Sequence, residues 1–325
     1  RRAAGQRRGE LNPNAGRLLD PEAMNPQRAL RHNAFIYESD DEYLARSVAF
    51  LREGLEAGEG GIVGNTRDGL AKMRDALAPD ADRVTFLDVS STYTRPARAL
   101  AAYHGTFLEH LRTAPAVRAV ADFQGGPWPR DWAEWTGYEA ITNLAYSHLP
   151  VWVVCTYDAN EVPDPVLDGV WRTHPEVLSD TWQASDDFED PRALVRRLTP
   201  EPEPLPELRS FSAGNDLEAF RERLARELVA EQVPEAAALR MLVAGNEVAA
   251  NAVRHGGGIE EVRVGRAEGR FVCEVIDRGG GFDDPVAGYV VPREGSGSGL
   301  WVARQLAWLV ECFDSPRGFT VRVWP

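Results

Sequence analysis

The segment "NEVAANAVRH", Asn246–His255, decides how the last third of this chain folds. Apolar residues recur through it and before it at helical spacing: Leu239, Leu242, Val243, Ala249, Ala250 and Val253 read as one stripe. Pro234 suits the first turn of such a helix, and Gly256 suits its stop. Glu247 and Asn251 stand one turn apart beside the stripe, with His255 one turn further on. That pair alone says little, because Glu139 and Asn143 in "YEAITN" repeat the spacing and no glycine-rich boxes follow them.

Downstream of Asn251 the pattern gains content. "EEVRVGRAEGRFVCEVIDRGGGF" predicts a hairpin that ends in Asp277, Gly279, Gly281 and Phe282. A carboxylate at a strand end can accept a hydrogen bond from an exocyclic amine, and glycines let the backbone approach a flat ring. "REGSGSGLWVARQLAWLV" then sets Gly295, Gly297 and Gly299 just before Leu300 and an amphipathic helix, where backbone N–H groups can take phosphate. No GKS or GKT follows either stretch, so neither is a Walker A motif. "GFTVRVW", with Thr320 inside it, predicts a final strand.

Taken in this order, residues 211–325 resemble the GHKL (HATPase) superfamily, and within it the anti-sigma-factor serine kinases. "EVAANAVRH" is similar to that group's N box, "DRGGGF" to its first glycine box and "GSGSGLWVARQL" to its second. The resemblance implies a Bergerat-type α+β sandwich with ATP and Mg²⁺ as cofactors. Asn251 would hold Mg²⁺ through its amide oxygen, and Asp277 would read adenine. Gly279 and Gly281 of the first box would line the nucleotide. Gly295, Gly297, Gly299 and Leu300 would cap the phosphates. Thr320 would line the adenine pocket, and Glu247 would be the general base. Asp283–Glu294 would be a short, apolar lid stiffened by two prolines. The implied activity is protein serine/threonine phosphorylation of a STAS-type antagonist, with sequestration of a sigma factor. A nucleotide-gated binding scaffold without phosphotransfer, or a histidine-kinase-like signalling protein, remains the alternative. Related anti-sigma kinases commonly dimerise; the sequence leaves the oligomeric state open.

The first half reads differently. Short, almost wholly apolar strands ("NAFIYES", "GGIVGN", "VTFLDVS", "VRAVADFQ", "VWVVCTY") alternate with amphipathic helices, which predicts a doubly wound parallel α/β sheet. Residues 32–180 resemble the MEDS sensory domain, carried by "HNAFIYESDDEYLARSVAFLREGLEAGEGGIVGN" and "YEAITN". Such domains resemble RecA-type units that lack the nucleotide loop, and the family implies detection of a small molecule. In open α/β sheets ligands bind beyond the carboxyl ends of strands. Asp88, Asp122 and Trp128 fall there and form the expected sensory pocket. His32 reads as a structural histidine, and Cys155, Cys273 and Cys312 as ordinary buried thiols of a cytoplasmic protein.

The expected division is therefore a disordered extension over 1–30, a sensory domain over 31–184, a Pro/Glu-rich linker over 185–209 and the ATPase domain over 210–325. A net charge of -14 argues against duplex DNA or an anionic membrane as partner. No apolar run is long enough for a membrane span, and no secretory h-region is visible.

Overall fold

The computed structural model describes residues 30–93, 95–122, 132–179, 181–199, 201–292 and 297–325. The extension expected over 1–30 lies almost wholly outside these residues, as do Trp128 and Gly295.

The first unit alternates β1 (Arg31–Tyr37), α1 (Asp40–Glu56), β2 (Gly60–Asn65), α2 (Arg67–Leu77), β3 (Val84–Asp88), the single turn α3 (Val89–Thr92), α4 (Pro96–His110), β4 (Val117–Asp122), α5 (Trp132–Ala145), β5 (Val151–Asp158) and α6 (Asp164–Thr173). It closes with β6 (Glu176–Leu178), β7 (Trp182–Ala184) and α7 (Pro191–Leu198). The strands form one sheet in the order β3-β2-β4-β5-β1-β6-β7. It is parallel except for the antiparallel edge strand β7. Alternation along each strand sends Phe35, Val63, Val120 and Val154 against α1 and α2. It sends Ala34, Ile62, Ala119 and Cys155 against α4, α5, α6 and α7 on the other face. Both faces are covered, which is why the strands read as continuous apolar runs.

Helix α7 lies inside the stretch expected to be a spacer. Asp190 caps it by accepting from Ala193 N at 2.9 Å, Pro191 occupies its first turn, and Leu194 and Val195 are buried in the first core. The part of the linker that follows α7 is tied to the second unit. Glu203 O accepts from Arg322 Nη2 at 2.9 Å, and Leu205 O from Arg263 Nη1's neighbour Nη2 at 2.6 Å.

The second unit comprises β8 (Arg209–Phe211), α8 (Leu217–Ala230), α9 (Glu235–His255), β9 (Ile259–Ala267), β10 (Arg270–Asp277), α10 (Gly299–Leu306), β11 (Leu309–Ser315) and β12 (Gly318–Trp324). Its sheet is antiparallel throughout, in the order β11-β12-β10-β9-β8. Phe220 and Leu224 of α8, Met241 and Val248 of α9 and Ala303 of α10 pack on one face. The opposite face carries a buried ionic cluster. Glu274 accepts from Arg263 at 2.6 Å and from Arg322 at 2.8 Å. The architecture is thus an α/β sheet followed by a separate antiparallel α+β sandwich.

The phase of α9 differs from the stripe read in the sequence. Leu239 and Val243 are 59% and 48% exposed, whereas Met241, Ala244, Gly245, Val248, Ala249 and Ala252 are buried. Close approach of α8 and α10 selects the small residues for the inner face. No described helix is long and apolar enough to cross a membrane.

Candidate functional site

A cavity of about 550 Å³ opens between α9, α10, the ends of β10 and β12, and the turn-rich segment 283–292. Its walls are apolar, with Val248, Val275, Val290 and Val321 among them, and a few polar groups converge on it. That size and make-up suit a small organic ligand such as a nucleotide.

Asp277 ends β10 and lines the cavity. Its Oδ1 accepts from Gly279 N at 2.9 Å, and burial raises its carboxyl above the usual carboxylate range. Its Oδ2 lies where a Cβ on Gly256 would have to stand, 2.2 Å away, so the residue that stops α9 must lack a side chain. The second close approach is at Gly299. A Cβ there would come within 3.0 Å of both amide atoms of Asn251 and of Glu247 Oε2. The first turn of α10 therefore rests directly on the Glu247–Asn251 edge of α9. Backbone N–H groups at a helix start meet, at one place, an amide and a carboxylate side chain.

Of the residues singled out in the sequence, Asn251, Asp277, Gly281, Gly297, Gly299 and Leu300 line the cavity. Glu247 is not among the lining residues but joins them at Gly299. Gly279 acts from behind, by holding Asp277. Thr320 does not line the cavity. Strand alternation turns Phe319 and Val321 toward it, while Thr320 is buried on the other side and donates to Ser315 Oγ at 3.0 Å.

The sequence reading missed Trp301. It lines the cavity, while its indole Nε1 is buried away from the open space and has no hydrogen-bond partner among the described residues. Its position, two residues past Gly299, was the available signal. A cation already stands at the amide of Asn251, where Arg254 Nη2 donates to Oδ1 at 3.2 Å.

The segment 283–292 is held on two sides. Arg304 of α10 donates to Ala287 O at 2.8 Å and lies 4.0 Å from the centre of the Tyr289 ring. From the first unit, Arg196 and Arg192 of α7 pair with Asp283 at 2.8 Å and Asp284 at 3.5 Å. Val286 is 2% exposed and belongs to the first unit's core, with Tyr289 and Val290 packed beside it. The carboxyl end of α10 is gripped as well. Arg95 donates to Leu306 O and Ala307 O, Arg98 Nε to Gln305 O at 3.0 Å, and Gln305 Nε2 to Ala97 O at 3.0 Å. Burial lowers the Arg95 guanidinium to about 10, and its charge faces the negative end of the helix dipole.

In the first unit, Asp88 and Asp122 stand at strand ends as expected but serve local structure. Asp88 Oδ1 accepts from Ser90 N at 3.0 Å and caps α3. Asp122 is buried, accepting from Asn65 Nδ2 at 2.8 Å and Thr156 Oγ1 at 3.1 Å. The structure also brings together four buried residues that spacing could not link: His32, Glu139, Cys155 and His174.

Residues 31–175 match the family model of MEDS, the methanogen/methylotroph, DcmR sensory domain. Residues 212–324 match that of the histidine kinase-like ATPase domain. No curated protein matches the chain.

Proposed function

Since this chain joins a MEDS domain to a histidine kinase-like ATPase domain, we propose that it is an anti-sigma regulatory kinase with a sensory input. The ATPase domain binds Mg²⁺-ATP and phosphorylates a Ser or Thr of a STAS-type antagonist. It sequesters a sigma factor when that antagonist is not free to compete. The observation that carries this reading is the meeting of Glu247, Asn251 and the first turn of α10 at Gly299.

The residues present suit the nucleotide. Asp277 would accept from the adenine exocyclic amine, and the backbone N–H groups at the start of α10 would receive phosphate oxygens. Mg²⁺, held through the Asn251 amide oxygen once Arg254 swings away, would neutralise charge on the phosphates. Glu247 takes the proton of the acceptor hydroxyl as that oxygen bonds to the γ-phosphorus and the bond to the β-phosphate oxygen breaks, releasing ADP. Among the histidines, His32, His104 and His174 are buried and His110 is engaged with Thr85 Oγ1 at 2.9 Å, while the exposed His255 lines the cavity itself; a hydroxyl brought by a partner protein is the acceptor in this reading. The exposed Leu239 and Val243, one turn apart on α9, offer an apolar face for a protein partner or a second copy.

Input from the sensory half reaches the site through its grip on the lid and on α10. A signal that shifts α7 or the start of α4 changes the position of the two elements that enclose the nucleotide.

The test is transfer of labelled γ-phosphate to a STAS-type protein by wild type and by Glu247→Gln. The proposal expects a loss of about 10²-fold or more in rate, the contribution of a positioned base, with ATP affinity retained. Equal rates would remove Glu247 from the chemistry. Partner binding that follows nucleotide without any transfer would leave the non-catalytic scaffold as the function.

A further inference from the structure

We propose that the MEDS half holds a transition-metal ion, Zn²⁺ or a similar first-row divalent cation, on His32, Glu139, Cys155 and His174. The ligand-type atoms of all four lie within 4.8 Å of one another. His32 Nε2 is 3.2 Å from Glu139 Oε2 and 3.4 Å from Cys155 Sγ. Glu139 Oε2 is 3.6 Å from Cys155 Sγ and 3.7 Å from His174 Nε2. A tetrahedral zinc centre with ordinary bond lengths has ligand–ligand edges of about 3.3–3.6 Å. The four measured edges fall close to these values, and the remaining two lie within 4.8 Å.

The fold explains how they meet. His32 on β1 and Cys155 on the neighbouring β5 project from the same face of the sheet, set by the pairing of His32 with Val153 and of Ala34 with Cys155. Glu139 comes from α5, which covers that face, and His174 from the residue that ends α6. All four are buried.

The hydrogen bonds around the cluster fix which ring nitrogens face it. Asn143 Nδ2 donates to Glu139 O at 3.2 Å and Thr173 O at 2.8 Å, so its oxygen must be the atom 3.2 Å from His32 Nδ1. His32 therefore carries a proton on Nδ1 and directs Nε2 inward, at Glu139 Oε2 and Cys155 Sγ. Likewise His174 Nδ1 donates to Val170 O at 3.0 Å, because Thr173 Oγ1, also 3.0 Å away, spends its own proton on Gly169 O at 2.8 Å. His174 Nε2 is buried with no hydrogen-bond partner among the described residues. Metal-bound histidines have this arrangement: the outer nitrogen donates to an oxygen and the inner one is free to ligate.

Without a cation, two imidazole nitrogens, a carboxylate and a sulfur crowd together away from water, joined only by the His32–Glu139 contact and the thiol proton. A divalent ion removes the conflict. Cys155 gives up its proton to solvent on binding, and the thiolate and the Glu139 carboxylate then balance the ion's two charges, so the buried site is neutral. Sulfur and nitrogen donors select a transition metal over Mg²⁺ or Ca²⁺. A cavity of about 10 Å³, lined by Glu139, Trp135, Tyr157 and Val170 among others, adjoins the carboxylate and has room for about one water-sized molecule. Helix α5 also packs on α7, which places the cluster one helix away from Arg192 and Arg196 and so from the ATP lid.

The test is metal analysis of the full-length chain, washed with chelator, reloaded with Zn²⁺ or Co²⁺ and freed of excess ion, with no nucleotide present. The expected result is about one ion per chain. The Co²⁺ form should show intense tetrahedral d–d absorption and a thiolate-to-metal charge-transfer band. Cys155→Ser should abolish that band, and His174→Ala should weaken binding at least tenfold. The wild-type spectrum decides the matter even if a variant misfolds. A folded wild type that takes up no Co²⁺, or Co²⁺ bound without thiolate charge transfer, would overturn the proposal. So would stoichiometric binding unchanged in both variants.

Discussion

Consider Val286→Ala in the lid. Val286 is 2% exposed and sits in the core of the sensory half, although it belongs to the ATPase half. The nearby ion pairs are more conspicuous, but their side chains are mostly solvated: 52% for Arg196 against 88% for Asp283, and 52% for Arg192 against 44% for Asp284. Exposed pairs of this kind contribute about 0.2–1 kcal/mol each at most, and less in salt. Removing two buried methyl groups at about 0.8 kcal/mol each forfeits roughly 1.6 kcal/mol of docking, before any cavity penalty. At about 1.4 kcal/mol per tenfold, lid release should become roughly 15-fold more frequent. Amide hydrogen exchange over 283–292 in the full-length protein measures this directly. Val286→Ala should accelerate it by that order, whereas Arg192→Ala/Arg196→Ala should change it only a few-fold and less at high salt. If the double arginine variant loosened the lid as much as Val286→Ala, apolar docking would not be what joins the halves.

Two further outcomes follow from the second unit. Glu274→Ala leaves the buried guanidinium group of Arg263 without its carboxylate and that of Arg322 with Glu311 at 3.4 Å, and should cost about 3–5 kcal/mol in denaturant unfolding of the ATPase half; a loss under about 1 kcal/mol would show that the cluster is solvated in practice. Asp277, with its carboxyl raised by desolvation, sets a pH dependence. In the role proposed for Asp277, protonation removes the acceptor for adenine, so ATP affinity should fall on acidification, beginning above the usual aspartate range. The stability linkage has the opposite sign: the folded state holds this proton more tightly, so this group's contribution to stability falls as pH rises from the unfolded pKa through the raised folded one. Calorimetric titration across pH reads the first effect, and Asp277→Asn should flatten it.

Local chemistry explains what the sequence disclosed. The limits of α9 were legible because Pro234 and Gly256 mark its ends, and the boxes around Asp277 and Gly299 because glycine has few other reasons to recur there. The phase of α9 was not, since its inner face was chosen by the closeness of α8 and α10, which favours Ala244, Gly245, Ala249 and Ala252 over Leu239 and Val243. Helix α7 had a cap at Asp190 and a proline at its first position, but the Pro/Glu composition that follows masked them. Thr320 was placed by motif order, and a strand's two-residue alternation turns it away. The four-residue cluster in the sensory half had no spacing to read, because neighbouring parallel strands and a covering helix bring His32 to three residues more than a hundred positions further along the chain. Asp122 shows the converse: the right end of the right strand, filled by a hydrogen-bonded structural carboxylate.

The most direct test of the central claim is calorimetric titration of ATP into the full-length protein, with and without Mg²⁺, for wild type and Asn251→Ala. The account predicts one nucleotide per chain, affinity that rises with Mg²⁺ in wild type, and loss of that Mg²⁺ enhancement in the variant. Wild type that binds no ATP, or an Asn251→Ala protein whose response to Mg²⁺ is unchanged, would contradict it.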